Sequence, residues 1–440
     1  MKRLVVGAGL SGLLAARRAV ARGERVLVLD AGHGAGGLIA PMSLEASKRN
    51  LSIDSGAEAF STVGGTVERL LIELGLTEQI VRPAEGQARI IAAGKDPYKI
   101  PDGYMGIPSS LDDPELSGIF SPLTIEAAKT LDSVDDISSI DLDSATVAEL
   151  VEVRLGRDFV DLLVDPIVSG VHGASAQNLT AASTMPALVA EFRRTGSLVA
   201  AAKNLRGSAS RPGSAVASLR GGMSGLIRAL TSDLIEAGVE FRFDKKVDSL
   251  QEFADFNLTL ALPLHQAATL VASTTLGGLL EGAAYRSTDA KILFAVVRSA
   301  QLNSHPIGSG ALITSDASTC LKAITHVNSK WAWIDEALEC DNHVLRMSLR
   351  ENLAGKAAQT SEVLDEMQRL LGLRDYQVLT TQIVEWPQSL NRPTAEAKTE
   401  VQALVEAARA KDIELVGTYI SGNGLLGIIK NHYEKVESGT

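Results

Sequence analysis

The stretch RLVVGAGLSGLLAARRAVARGERVLVLDAGHGAGGLIA, residues 3–40, decides the fold. Leu4–Val6 reads as a short buried strand. Gly7, Ala8, Gly9, Leu10, Ser11 and Gly12 follow as G-x-G-x-x-G. The spacing predicts a helix from about Leu10 to Arg22, stopped at Gly23. A second strand, Arg25–Leu29, ends in Asp30 and Ala31. In such a unit the first glycine permits the tight turn, the second lets a pyrophosphate approach the backbone, and the third lets helix and strand pack closely. An acid some twenty residues past the turn is where a ribose hydroxyl is read. A plain βαβ unit with glycine turns is the alternative; strand, turn, helix, strand and acid occurring in order favour a dinucleotide site.

Gly36 and Gly37 add a second close-approach point just past the acid. Sites for flavin dinucleotides commonly carry this element and NAD sites usually do not, so the expected cofactor is a long-resident FAD.

Composition narrows the class. Hydrophobic residues make up 45% of the 440 and charged residues 22%, as in ordinary globular proteins with room for several domains. A net charge of −11 argues against nucleic-acid binding, which needs a clustered positive field. No run of eighteen apolar residues predicts a transmembrane helix, and the apolar N-terminus reads as structure, not as a signal peptide. Cys320 and Cys340 are expected as buried free thiols, which suits a reducing compartment, and no metal-ligand spacing is present. His33 and His172 are expected to pack or hydrogen-bond. Trp331 and Trp333 are expected to alternate on one strand face.

Further along, Ile53–Phe60 reads as a strand running into a turn at Gly56, and Thr66–Leu76 as a helix. A hairpin is expected around Gly94–Pro97, and residues 109–145, rich in Ser, Asp and Pro, as a loop between domains. Thr146 and Glu149 have capping-box spacing, and Pro166 should end or kink the helix that follows. Strands near 240–247 and 257–263, and another in the last forty residues, most simply rejoin the opening sheet.

Spread along the chain are DSGAEAF, LLIELGL, PDGYMGIPSS, VEVRLGRDFVDLLVDPIVSGVHGASAQNLTAASTMPAL, SLRGGMSGLIRAL, NSKW and LVGTYISGNGLLGI. With the opening stretch, these resemble the FAD-dependent protoporphyrinogen/coproporphyrinogen oxidases of haem biosynthesis, within the flavin amine oxidase-like group. The block ending in DPIVSGVHG is the most specific. The resemblance implies an α/β fold: an interrupted Rossmann-like FAD-binding domain (residues 1–55, 215–265 and 405–440), a mixed-sheet substrate-binding domain (56–109 and 266–404), and a helical insert (110–205).

It also implies site roles. Gly7 to Gly12 and Asp30 contact pyrophosphate and ribose. Gly56, Ala57, Glu58 and Ala59 lie along the flavin, the backbone of Val247 meets the adenine, and Thr418, Asn423, Gly424 and Leu425 form the loop under the flavin ring. Arg89 faces a substrate propionate, and Gly170 lines the substrate cavity. Chemistry rests with the flavin, and no catalytic side chain is required. The activity implied is oxidation of coproporphyrinogen III by dioxygen, giving peroxide, as in the Gram-positive branch. Protoporphyrinogen IX oxidation, amine oxidation and a non-catalytic flavin- or tetrapyrrole-binding role are the alternatives. A cytoplasmic location, a peripheral membrane contact and hand-over to a ferrochelatase complete the picture. The chain departs from the family at Gly34, where an arginine is common, and at Leu425–Gly427, where a proline or aspartate is common.

Overall fold

The computed structural model describes residues 1–46, 49–84, 87–134, 137–138, 140–206, 215–271, 286–350, 359–392 and 395–438. The first part holds β1 (Lys2–Val6), α1 (Leu10–Ala21), β2 (Arg25–Leu29), β3 (Pro41–Ala46), β4 (Arg49–Asp54), α2 (Thr66–Glu73), β5 (Arg89–Ile91) and β6 (Tyr98–Lys99). Helices follow: α3 (Pro122–Asp132), α4 (Val147–Leu155), α5 (Asp165–His172), α6 (Pro186–Thr195) and α7 (Leu198–Arg206). Next come β7 (Val216–Leu219), α8 (Ser224–Glu236), β8 (Glu240–Arg242) and β9 (Asn257–Leu260). The remainder holds β10 (Arg286–Arg298), β11 (Gly310–Ile313), β12 (Leu321–His326), α9 (Val327–Lys330), β13 (Asn342–Leu349), α10 (Thr360–Leu371), β14 (Gln377–Arg392), α11 (Ala395–Arg409), β15 (Ile413–Leu415) and α12 (Leu425–Ser438).

A five-stranded parallel sheet, ordered β8–β2–β1–β9–β15, collects strands from the beginning, middle and end of the chain. Leu4, Val5 and Val6 are all buried, because helices cover both faces of a parallel sheet and leave no polar side. A seven-stranded mixed sheet, ordered β14–β10–β13–β12–β11–β5–β6, forms the second layer system, with β11 and β5 its parallel pair. One face of this sheet carries Leu293, Ala295, Ile324, Leu345 and Met347 and is covered by Val363 and Met367 of α10. On the opposite face, Phe294, Val296 and Val344 pack with Met42, Leu44 and Ile53 of the β3–β4 hairpin.

The core of the insert, in which Phe120 and Phe159 stack at 4.2 Å between centroids, is shared with Ile90, Tyr98 and Ile107 from the segment before it. The expected capping box forms: Thr146 Oγ1 accepts from Glu149 N at 3.1 Å, and Glu149 Oε2 accepts from Thr146 N at 2.8 Å. Four expectations need correction here. The 109–145 stretch is not all loop, since α3 lies within it, started by Ser121 and Pro122; its residues 135–136 and 139 lie outside the described residues. Pro166 does not end the helix. The helical run continues through it: a π-helical segment, Val160–Val164, precedes it, and the Leu162 carbonyl, four residues before the proline, accepts from Tyr98 Oη at 2.8 Å instead. Trp331 and Trp333 do not share a strand face. β12 stops at His326, and Asn328 turns the chain by donating to Asp335 at 2.9 Å and accepting from Val344 N at 3.0 Å. Nor are the two thiols buried: Cys320 is half-buried and Cys340 exposed, in turns that precede β12 and β13.

A histidine group supports the mixed sheet. His326 and His343 share a hydrogen bond of 2.9 Å, His343 bonds to Asn303 at 3.0 Å, and the His305 ring lies 5.3 Å from that of His326. Burial, together with the neighbouring imidazoles of His343 and His305, pushes His326 down to about 3. An unfolded histidine titrates near ~6.5. The native state therefore binds fewer protons, and the contribution of His326 to stability is whole above that pH and drains as pH falls toward 3. Between pH 7 and 5 the loss should be roughly 1–2 kcal/mol. Chemical denaturation of the wild type against His326→Leu checks this: the variant should have the flatter pH profile over that interval.

Candidate functional site

At the carboxyl ends of β1 and β2 the chain builds a glycine cradle. Gly7 sits at φ +103°, and a side chain there would strike the Ala261 carbonyl. At Gly9 no atom of the described residues beyond its chain neighbours lies within 4 Å of where a Cβ would sit, so its approach side is open. Gly9 caps α1 without any side-chain bond, leaving first-turn N–H groups toward that opening. Gly36 donates to Ala8 O at 2.9 Å, which zips the second glycine pair onto the first turn. Asp30 accepts from Ala8 N at 2.6 Å and from Gly32 N at 2.7 Å. The acid thus braces the turn, while each carboxylate oxygen retains a lone pair for a hydroxyl. Lys245 N donates to Asp30 O at 2.9 Å, which brings the segment leading to Val247 alongside. His33 pairs with Asp244 at the surface and Ala31 is exposed.

The second part of the site forms where three distant segments meet. Gly56 leaves no room for a side chain, because the Leu38 carbonyl lies 2.3 Å from its Cβ position, and Ala57 N donates to Leu38 O at 3.1 Å. Residues 56–59 are half-buried up to Phe60. From the C-terminal loop, Thr418 Oγ1 accepts from Asn391 Nδ2 at 2.7 Å, and Asn423 Oδ1 accepts from Asn391 N at 3.0 Å. Asn423 Nδ2 donates to Asn391 O at 2.9 Å and to His172 O at 3.5 Å. The end of α5 is thereby tied to the loop carrying Gly424 and Leu425. Burial lowers the His172 imidazole, keeping it neutral.

Gly170 faces Leu312 of β11 at 2.9 Å from its Cβ position, so α5 lies against the mixed sheet. On that face Leu312, Ala323, Thr325, Arg346 and Ser348 are half-buried, whereas Ala311, Ile324, Leu345 and Met347, pointing the other way, are buried. These are central strands, so the half-open face is a floor and not an edge. Arg89 stands beside this corner, in register with Ala311. Its strand parity is that of Ile91, which joins the α10 side, so the structure brings Arg89 next to the Gly170–Leu312 contact along the sheet without placing it on the same face. Its Nε is buried without a hydrogen-bond partner among the described residues. Lys95 and Lys99, weighed with it, are engaged by Ile119 O and Glu115.

Sequence reasoning missed Asn391, Thr325, Ser348 and Arg346. The alternation in LKAITH and HVLRMSL could have marked the last three; Asn391 carries no local signal, since it acts through a loop thirty residues away.

Charge concentrates at the start of the 56–59 segment. Burial alone would raise the Glu58 carboxyl, but Lys330 at 2.7 Å and Arg346 outweigh it and hold it below the usual range. Burial pushes Asp54 up to about 6, although it accepts from Met223 N and Ser224 N. No group of three or more metal-ligating side chains occurs among the described residues.

A family model described as flavin-containing amine oxidoreductase matches residues 10–266, more than half of the chain. The chain belongs to this family. Coproporphyrinogen III oxidase of Staphylococcus aureus is 25% identical over 257 residues, covering 56% of this chain and 54% of that protein. The Mycobacterium leprae coproporphyrinogen III oxidase is 26% identical over 363 residues, covering 78% and 76%. The chain thus spans about half the length of the S. aureus relative and three quarters of the M. leprae one. A crystal structure from Exiguobacterium sp. 255-15, assigned as a protoporphyrinogen oxidase, superposes with a TM-score of 0.82 at 22% identity, covering 99% of this chain and 98% of that one.

The family is one of flavin-containing oxidoreductases, and the cofactor of this chain is FAD. The residues fit that group: the open face of Gly9, the bare first turn of α1 and the glycine pair at 36–37 leave backbone N–H groups and space where a dinucleotide needs them. No described helix is long and apolar enough to cross a membrane.

Proposed function

We propose that this chain oxidises coproporphyrinogen III to coproporphyrin III with dioxygen as acceptor, releasing hydrogen peroxide, in haem biosynthesis. One observation supports the reading above others: the segment most specific to the porphyrinogen oxidases, α5, is docked on the C-terminal loop through His172 O and on the half-open floor through Gly170. A reduced tetrapyrrole is wide, flat and largely apolar, and aliphatic Leu312 and Ala323 with the Thr325 and Ser348 hydroxyls suit it.

In this reading the dinucleotide lies across Gly7 to Gly12, Asp30, Gly36 and Gly37, residues 56–59 run along the flavin, and the 418–425 loop lies beneath its ring. When bound, the flavin supplies the two-electron sink for hydride leaving a meso carbon. The chain's own work is positioning: Asn391 fixes the loop, Gly170 lets the floor approach closely, and Leu38 holds the 56–57 backbone. Full conversion to the porphyrin removes six electrons, so substrate is turned over three times or held through three rounds.

The deciding measurement is anaerobic bleaching of the flavin band, followed by product and peroxide assay, with coproporphyrinogen III, protoporphyrinogen IX and a primary amine compared. Fastest bleaching by coproporphyrinogen III, with peroxide formed in proportion, supports the proposal. Bleaching by amine alone replaces it with amine oxidation, and no bleaching by any substrate removes it.

Arg89 gives a second test. The buried Arg89 Nε, without a hydrogen-bond partner among the described residues, is a donor that suits a carboxylate reaching this corner from beside the floor, since Arg89 itself lies on the α10 side of the sheet. Arg89→Ala should raise KM for coproporphyrinogen about tenfold while kcat changes little, as loss of uniform binding requires. An unchanged KM excludes Arg89 from the pocket.

A further inference from the structure

Among the described residues, Asp54, Glu58, Lys330 and Arg346 meet at the base of the 54–59 segment, brought together from distant parts of the fold. Lys330, at the end of α9, donates to Glu58 Oε1 at 2.7 Å, with side chains only 19% and 15% exposed. Arg346, on the floor of the mixed sheet, donates through Nη2 to Gly56 O at 3.2 Å, and its Nε is buried with no hydrogen-bond partner. Asp54, at the end of β4, takes the N–H groups of Met223 and Ser224 at the start of α8. A small cavity lined by Asp54, Glu58, Ser218, Trp331 and Trp333 adjoins the group.

A purely structural role would be met by any neutral pair that ties the two sheets together. This arrangement does something more specific. Arg346 draws on the Gly56 carbonyl, and Glu58 hangs from the same short segment, so both cations act on one stretch of backbone. With the side chains of the Lys330–Glu58 pair only 19% and 15% exposed, their field is screened less than that of surface charges.

We propose that Lys330 and Arg346 are positioning residues that set the redox potential of the flavin, with Glu58 offsetting Lys330. The inference rests on residues 56–59 lying along the flavin. Two-electron reduction adds negative charge to the flavin, so a nearby unopposed cation favours the reduced form and an unopposed carboxylate the oxidised form. Removing either member of the Glu58–Lys330 pair must then move the potential in opposite directions, which loosening of the fold alone would not do.

The experiment is measurement of the flavin midpoint potential and the FAD dissociation constant in the holoprotein, by dye equilibration, for the wild type, Lys330→Met, Glu58→Gln, the double variant and Lys330→Arg. The expected result is an approximately tenfold shift of the reduction equilibrium toward oxidised flavin in Lys330→Met, about 30 mV lower for a two-electron couple. Glu58→Gln should shift it as far upward, and the double variant and Lys330→Arg should return close to the wild type. Shifts of the same sign in both single variants, or unchanged potentials with FAD retained, overturn the proposal. If Lys330→Met fails to fold, Glu58→Gln and Lys330→Arg decide alone. No porphyrinogen enters the measurement, so a protein that tunes its flavin but does not turn over porphyrinogen would refute the proposed substrate and leave this result standing.

Discussion

Gly9→Val is expected to yield a folded protein that purifies without flavin. Among the described residues, nothing beyond the chain neighbours lies within 4 Å of the position a Cβ would take at Gly9, so the fold itself has no objection to the substitution. The obstruction falls entirely on what approaches the turn from outside. A branched side chain there keeps a pyrophosphate from the first-turn N–H groups of α1, which supply much of its binding. FAD affinity should drop a hundredfold or more, about 3 kcal/mol. Gly12 provides the contrast, because its Cβ would sit 1.9 Å from the Gly7 carbonyl oxygen; Gly12→Val should fail at folding. Flavin-to-protein ratio and far-ultraviolet dichroism separate the two variants. Wild-type FAD content in a folded Gly9→Val protein would mean that the dinucleotide lies elsewhere.

Arg154→Met should destabilise the helical insert by roughly 3–5 kcal/mol, because it removes one partner of a buried charge pair. Arg154 is 2% exposed. Its Nη2 donates to Asp132 O at 2.7 Å and to Gly196 O at 2.6 Å, and its Nε lies 3.6 Å from the Asp132 carboxylate. Asp132 in turn receives Ser197 Oγ at 2.5 Å and Leu198 N at 2.7 Å, capping α7. Three helices therefore depend on one guanidinium: α3, α4 and α7. Methionine fills the volume and leaves the Asp132 carboxylate in an apolar site. Denaturant unfolding should show the loss, and proteolysis should open the insert before the parallel sheet. A midpoint shift worth less than about 1 kcal/mol would show that the Asp132 carboxylate does not depend on the arginine.

The nucleotide-binding end is legible in the sequence because its demands are local. A tight turn, an open backbone and a close helix–strand contact each require glycine within a few residues, and the second strand carries its acid in the same reading frame. The return of β9 to the first sheet is legible in the apolar run NLTLALP, whereas β8 (Glu240–Arg242) and β15 (Ile413–Leu415) are short and carry charged residues. What sequence does not supply is anything made by convergence. Asn391 matters only because β14 ends beside Asn423. Lys330 lies in the NSKW motif, yet its partner Glu58 is 272 residues away. Local propensity misleads in two places. A proline inside an apolar stripe reads as a helix stop or kink, and at Pro166 the stop does not occur: the run goes on, with a π-helical irregularity just before the proline. The alternation of Trp331 and Trp333 reads as a strand, but the side-chain bonds of Asn328 that turn the chain are tertiary. Arg89 shows a subtler limit: its position beside the site is legible, but the face of the sheet it occupies depends on register.

The parallel sheet begins with β1 and closes with β15, and the loop proposed to lie under the flavin ring follows β15 directly. During translation the glycine turn emerges early, its neighbouring strand β9 only after the whole insert, and the Thr418–Leu425 loop later still. A nascent chain can thus shape the helical insert while the nucleotide-binding sheet is still missing strands. In the proposed reading the flavin site is therefore complete only once β15 has joined the sheet and carried its loop into place, long after the glycine turn that opens the site.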